Sequence, residues 1–251
     1  MKTLEEILLA FDPITLKEMD SVKLQDRIDT KFMFRDALLP EILELMRDNY
    51  FALDISGMRY NHYETLYFDT PDFALYINHQ NGRTNRYKFR ARKYVESNLN
   101  FFEVKFKNNK GRTIKERIKR PEQVDHISDS SRELVKNISN INPDNLVPKI
   151  WVNYRRMTFV GKNSAERLTI DTKLTYKDES QTIPISGLVI AEVKKGNARE
   201  KSPFISLMRK FCVQEKSISK YCLGVISLNK KIKQNNFKPS LLYIQKILKA
   251  S

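Results

Sequence analysis

Side chains on a β-strand alternate between two faces, so a run with Lys or Arg at every second position gathers its charge into one stripe. Arg86, Lys88, Arg90 and Arg92 form such a run, with Tyr87, Phe89 and Ala91 opposite. The design recurs where Glu103, Lys105 and Lys107 oppose Phe102, Val104 and Phe106. It recurs again where Lys115, Arg117 and Lys119 oppose Ile114 and Ile118, with Glu116 interrupting the apolar side. Arg167, Thr169 and Asp171 oppose Leu168 and Ile170, and Glu192 and Lys194 oppose Val189, Ala191 and Val193. Alternation alone is what the wet face of any antiparallel sheet shows. A wet face normally mixes signs, whereas these stripes are dominated by cations. Two unit charges about 4 Å apart interact by about 1 kcal/mol in bulk water and about 4 kcal/mol at an effective dielectric near 20. A concave surface of this kind is therefore costly when empty and attractive to phosphate.

Basic stripes also serve nucleic acids. Single-strand platforms, however, present aromatic rings and cations together, and Tyr87 and Phe89 lie opposite the cationic stripe. Nucleic acid is not the expected partner, although a flat basic face for a duplex stays open on this pattern.

The elements that must position these stripes follow from periodicity. Helical spacing is expected at Leu4 to Leu9, Asp36 to Arg47 and Pro71 to His79, and around Ser131 to Val135 in an otherwise polar stretch. Strands are expected from about Arg27 to Phe34, Arg59 to Phe68, Arg83 to Tyr94, Asn100 to Lys107 and Arg112 to Lys119. They resume at Ile150 to Val160, Glu166 to Tyr176 and Gly187 to Lys194. Past Arg199 the pattern turns helical through Phe211, through Leu228, and again at Leu241 to Leu248. Gly111 and Gly161 each sit between β-rich runs and mark hairpins, so the sheet is expected to be mainly antiparallel. Curling it with the apolar face outward under the helices lines the interior with Lys and Arg. The expected fold is α+β: an antiparallel β-barrel tunnel with a basic interior and helices packed outside.

Composition narrows the class. The chain has 251 residues, with 45 Lys+Arg against 30 Asp+Glu, a net charge of +15 and a pI near 9.7. An apolar fraction of 41% supports a real core. With no linker, repeat or low-complexity tract, a single domain over 1–251 is expected. None of the seven glycines forms a GxGxxG or GxxxxGK[ST] loop, which removes the mononucleotide folds. No run approaches the roughly 18 apolar residues of a membrane span, and no signal-peptide pattern opens the chain. Cys212 and Cys222 make no disulfide framework or zinc knuckle, and His62, His79 and His126 are scattered. A cytoplasmic location and no membrane span of its own are expected.

Taken in order, the motifs resemble the VTC-type polyphosphate polymerase domain, a branch of the triphosphate tunnel metalloenzyme superfamily. The resemblance rests on Arg27-Ile28-Asp29-Thr30-Lys31-Phe32, Tyr63-Glu64-Thr65-Leu66-Tyr67-Phe68-Asp69-Thr70 and Lys88-Phe89-Arg90-Ala91-Arg92-Lys93-Tyr94. It continues through Phe102-Glu103-Val104-Lys105, Thr113-Ile114-Lys115-Glu116-Arg117 and Tyr154-Arg155-Arg156-Met157-Thr158-Phe159. Arg167-Leu168-Thr169-Ile170-Asp171, Ala191-Glu192-Val193-Lys194 and Ser219-Lys220-Tyr221-Cys222 complete it. The resemblance implies that Lys31, Arg90, Arg92, Lys105 and Lys220 are catalytic phosphate contacts. It implies that Lys115, Arg156 and Arg167 bind the nucleotide phosphates and that Glu192 holds Mg²⁺ or Mn²⁺. Such a set suits phosphoryl transfer, which needs alignment and cations around the phosphoryl oxygens more than covalent help. Arg supplies bidentate forks and Lys supplies point charges, while Mg²⁺ takes only one or two carboxylates.

Adjacent Arg155 and Arg156 must face opposite ways, and the motif favours Arg156 inside. Glu103 is expected to pair with a neighbouring cation rather than to hold metal. Lys88 and Arg117 lie on inward stripes without as clear a family role, and Tyr67, Phe68 and Phe102 read as packing residues. Tunnel triphosphatases and related cyclases open with Glu-x-Glu-x-Lys, where this chain has Arg27-x-Asp29-x-Lys31. A cation replaces the first glutamate, which resembles the polymerase branch more than the hydrolase branch. The expected activity is transfer of the γ-phosphoryl group of ATP to inorganic polyphosphate, releasing ADP. A tunnel triphosphatase and a non-catalytic polyphosphate-binding module are the alternatives. Eukaryotic members of the family carry membrane segments that this chain lacks, so a membrane partner is a further possibility of the resemblance.

Overall fold

The computed structural model describes residues 2–21, 28–121, 125–196 and 201–249. Arg27, the first residue of the N-terminal motif, lies outside them. In chain order the described elements are α1 (Leu4–Leu9), β1 (Asp12–Ile14), α2 (Leu16–Ser21), β2 (Ile28–Arg35), α3 (Leu39–Met46), β3 (Tyr50–Leu53) and β4 (Asn61–Asp69). Next come α4 (Ala74–Gln80), β5 (Arg86–Tyr94), β6 (Leu99–Lys107), β7 (Thr113–Arg120), α5 (Asp129–Ile138), β8 (Val147–Gly161) and β9 (Glu166–Lys177). The chain ends with β10 (Thr182–Ile185), β11 (Leu188–Lys195), α6 (Pro203–Lys210), α7 (Lys220–Leu228) and α8 (Lys238–Lys249). No described helix is long and apolar enough to cross a membrane.

The strands form one sheet in the order β2-β11-β9-β8-β4-β5-β6-β7. Neighbours on this path are antiparallel, as the hairpin glycines predicted. Gly111 takes φ +77 in the turn between β6 and β7, a conformation that only glycine adopts without strain. The 15-residue β8 is long enough to pair with β4 along its first part and with β3 near its end. Register shifts between Tyr67 and Phe68 and between Asn153 and Arg155 bend the central strands and help the sheet to curl.

The expected barrel does not close through a strand ladder. β2 and β7 are the two ends of the path, and among the described residues they share no pairing. The physical reason lies on the outer edge of β2. Phe32 bridges Glu215 there, and the Lys216 amide donates to the Lys31 carbonyl at 2.9 Å, so those edge groups are already satisfied. The segment 215–219 thereby takes the place of a closing strand along that edge.

Helices α1, α3, α5 and α6 pack on the sheet from outside its strands. In α3, Leu39, Ile42, Leu43 and Met46 recur at helical spacing and are buried. With Ile7 and Leu8 of α1 and Phe204 and Met208 of α6 they cover Phe32, Phe34, Phe159, Leu168, Ile170, Val189, Ala191 and Val193. Those are the apolar faces opposite the charged stripes. Phe89, Ala91, Phe102 and Val104 are buried in the same sense against Val135 of α5. Helix α7 is buried from Tyr221 to Ser227 and meets the other face of the sheet, against Ile150, Val152, Tyr154, Leu174 and Tyr176. Gly224 makes that approach possible, because a Cβ there would lie 2.6 Å from the Tyr176 ring and 2.7 Å from Ile150.

Four short elements gave no signal in the sequence. β1 and β10 contain Pro13 and Pro184, which read as breaks yet are tolerated because, among the described residues, each strand pairs on one side only. β3 spans four residues and α2 six, too short for a period to emerge.

Candidate functional site

The charged stripes converge on one cavity of about 500 Å³ enclosed by the curled sheet and the start of α7. Lys31 from β2, Arg90 and Arg92 from β5, Lys105 from β6 and Lys115 from β7 line it. So do Arg156 from β8, Arg167 from β9, Glu192 from β11 and Lys220 from α7. All nine residues singled out in the sequence are thus brought together. Arg156 faces inward and Arg155 is exposed on the other side over the Tyr60 ring, as parity required. A second chamber of about 880 Å³ adjoins the first. The two share Lys31, Lys88, Lys105, Lys115 and Arg117, and the second extends along the Arg86 and Lys107 end of the β5–β6 pair.

Two buried carboxylates hold the cations in place. Glu103, 1% exposed, accepts from the Arg90 guanidinium at 2.5 Å, pairs with Lys115 and lies 3.9 Å from Arg92. Burial alone would raise its pKa, but Arg90, Arg92 and Lys115 hold it well below the usual carboxylate range. Glu103 is therefore the ion-pair residue that the sequence suggested. Asp171 receives a two-pronged contact from Arg156, at 2.6 and 2.8 Å, and a third from Lys220 at 2.5 Å. Against the cost of its burial, Arg156 and Lys220 bring the Asp171 pKa down to about 2.

The lysines of β5, β6 and β7 face one another. Lys88, Lys105 and Lys115 stand directly opposite across β5, β6 and β7. Burial and the charges of Lys88, Lys31 and Arg90 push the Lys105 ammonium down to about 7. Burial, offset in part by Glu103, leaves Lys115 at about 8. Lys88 donates to the Ser219 hydroxyl at 2.8 Å, and that hydroxyl also caps α7 by accepting from the Cys222 amide at 3.2 Å. Lys31 donates to the Ile218 carbonyl at 3.3 Å, and Arg167 donates to the Met19 carbonyl at 2.8 Å.

A divalent cation would find few carboxylates here. Among the described residues no three His, Cys, Asp or Glu side chains gather at one point. Glu192 reaches the cavity beside Lys194, 3.6 Å away, and opposite Thr169 on the neighbouring strand. Its carboxyl is held well below its ordinary range: burial opposes this, but Lys194, Lys31, Lys220 and Arg156 outweigh it. The Thr169 hydroxyl is buried and has no hydrogen-bond partner among the described residues. One ionised carboxylate next to an unsatisfied hydroxyl suits a hard cation whose other ligands are water and phosphate oxygens.

Sequence reasoning missed three parts of the site. Asp171 was legible as a polar inward residue but not as the clamp on Arg156 and Lys220, because Lys220 arrives from a distant helix. Tyr67 was read as packing. Its ring does stack on Tyr221 at 4.9 Å, but it also lines the cavity and its hydroxyl accepts from Arg90 at 3.1 Å. Phe68 and Phe102 are core residues as expected. The third omission is the tyrosine wall of Tyr63, Tyr94 and Tyr154, with Arg156 5.0 Å from the Tyr63 ring centre. The motifs quoted for the resemblance contain all three of these tyrosines, which was the available signal.

Similar solved structures include a candidate adenylate cyclase from Bacillus halodurans, 12% identical, covering 78% of this chain and 96% of that one, with a TM-score of 0.49. Another candidate adenylate cyclase, from Vibrio parahaemolyticus, is 14% identical over 79% and 99% of the two chains, with a TM-score of 0.48. A candidate adenylyl cyclase from Hippeastrum described as having a dominant triphosphatase activity is 13% identical over 78% and 95%, with a TM-score of 0.46. No curated protein matches the sequence. The VTC domain matches residues 26–229, the span that runs from β2 through α7 and supplies every cavity residue named above except Met19. With most of its length matched in this way, the chain belongs to the VTC domain family.

Proposed function

We propose that the protein is a metal-dependent polyphosphate polymerase, transferring the γ-phosphoryl group of ATP to inorganic polyphosphate and releasing ADP. The observation that carries this reading over simple hydrolysis is the second cationic chamber. A triphosphate needs only the 500 Å³ cavity, whereas the adjoining 880 Å³, lined by Arg86, Lys88, Lys107, Arg112 and Arg117, offers a path for a longer polyanion.

In this reading Arg90, Arg92, Arg156 and Arg167 bind donor phosphates as planar forks, already oriented by Glu103, Asp171 and the Met19 carbonyl. Lys31, Lys105, Lys115 and Lys220 surround the reacting phosphoryl group as point charges. A terminal oxygen of the acceptor chain bonds to the γ-phosphorus, the bond to the β,γ-bridging oxygen breaks, and ADP leaves with that oxygen. Glu192, with Thr169 beside it, is the residue that would hold Mg²⁺ or Mn²⁺. A cation held there would supply neutralisation of phosphate charge. The fixed cations do the rest by alignment and electrostatic stabilisation.

Incubation with ATP and Mg²⁺ or Mn²⁺ tests the reading through its stoichiometry. ADP formed without matching orthophosphate supports transfer to a chain. ADP and orthophosphate in equal amounts would show hydrolysis instead.

A further inference from the structure

Asp69 belongs to a motif that the chemistry above leaves unused. Its side chain is wholly buried, and among the described residues no Lys or Arg pairs with it. One carboxylate oxygen accepts from the amides of Thr70, at 2.7 Å, and Leu75, at 2.9 Å. The other accepts from the Tyr76 amide at 2.9 Å, and these three bonds anchor the start of α4. A cap needs no more than that. The second oxygen nevertheless takes a further bond, at 2.5 Å, from the hydroxyl of Tyr221, 152 positions away at the start of α7.

Tyr221 directly follows Lys220. The first turn of α7 is therefore fixed to three strands by three consecutive side chains: Ser219 to Lys88 on β5, Lys220 to Asp171 on β9, and Tyr221 to Asp69 at the end of β4. The Ser219 and Lys220 ties are made to cations and a carboxylate that line or flank the cavity, so an incoming polyanion competes for them. Neither Tyr221 nor Asp69 lines either chamber, so the Tyr221 tie is not one that an anion in the cavity competes for. A helix held at one such point keeps its rotational setting while Lys220 exchanges Asp171 for phosphate.

We infer that Asp69 is a positioning residue, which holds α7 through the Tyr221 hydroxyl so that Lys220 is presented to the anion in the cavity. The inference rests on the reading of Lys220 as a phosphate contact. It is tested by a double-mutant cycle on the full chain, with inorganic tripolyphosphate as the probe and calorimetry as the readout. Tyr221→Phe removes only the hydroxyl and keeps the ring stacked on Tyr67. It should weaken tripolyphosphate binding about fivefold, less than the full worth of a charge-assisted hydrogen bond, because the stacked ring still seats the helix. Lys220→Met should weaken it about tenfold by removing a charge from the site. The double variant should bind no more weakly than Lys220→Met alone, because without Lys220 there is nothing left to position. Independent losses that multiply would overturn the inference, since a merely structural bond would weaken binding in both backgrounds. Wild-type affinity in Tyr221→Phe would also overturn it. Wild-type affinity in Lys220→Met would instead remove the underlying reading of Lys220. Asp69→Asn, carried through the same cycle, provides the second arm and should show the same dependence on Lys220.

Discussion

Anion binding should draw protons into the protein, and the size of the effect follows from the lysine cluster. Lys105 lies at about 7 and Lys115 at about 8, both below the ordinary 10.5. The groups facing Lys105 are Lys88 and Arg90 on β5, Lys115 and Arg117 on β7, Lys31 and Asp29 on β2, Glu192 on β11 and Lys220 on α7, with Glu103 on its own strand. A polyphosphate placed among them reverses the local potential and restores both ammonium groups. At pH 7 the empty site lacks about half a proton on Lys105 and about a tenth on Lys115, so uptake is about 0.6 proton; at pH 8 it rises to about 1.4. The bound state holds more protons, so affinity falls as pH rises. The fall is about tenfold between pH 7 and 8 and about twofold between pH 6 and 7. Titration calorimetry in buffers of different ionisation enthalpy reads the uptake directly. Lys105→Arg is the decisive comparison, because arginine stays charged and the ligand's own titration cancels. The variant should take up about half a proton less than wild type at pH 7 and about 0.9 less at pH 8. Equal uptake by the two proteins would refute the assignment of the missing proton to Lys105.

Other consequences are read more simply. Tripolyphosphate at 100 times its dissociation constant should stabilise the fold by about 2.7 kcal/mol, or roughly 5–10 °C in Tm for a chain of this size; no upward shift at low salt would contradict an empty, self-repelling cavity. Glu192→Gln should abolish metal-dependent turnover while leaving most tripolyphosphate affinity, and full activity in the variant would remove Glu192 from the metal role. Gly224→Ala should cost about 1–3 kcal/mol by forcing α7 off Tyr176 and Ile150, and an unchanged Tm would show that α7 does not seat there.

The stripes were legible because strand parity is a local property. Arg86 through Arg92 fixes its own faces without knowledge of any other strand, and the same parity separates Arg156 from Arg155. What parity withholds is distance across the fold. Asp171 and Lys220 meet at 2.5 Å although 49 positions separate them, and nothing local to either residue announces the other. The open edge at β2 was illegible for a related reason. The segment 215–219 carries no strand period, yet its Lys216 amide satisfies β2 where a closing strand was expected. Helix α7 showed its apolar spacing in Leu223 and Ile226. Its place against the concave face depends on the missing side chain of Gly224, whose role appears only when Tyr176 and Ile150 are brought beside it. Tyr67 illustrates the remaining ambiguity: an aromatic residue on a strand packs by default, and its hydroxyl becomes part of the site only because Arg90 stands opposite in register.

The most direct test of the central claim is the fate of the γ-phosphate. Purified protein incubated with γ-labelled ATP and Mg²⁺ or Mn²⁺ should place the label in long-chain polyphosphate. Label recovered as free phosphate would contradict polymerisation in favour of hydrolysis, and label remaining in ATP would contradict catalysis by this chain.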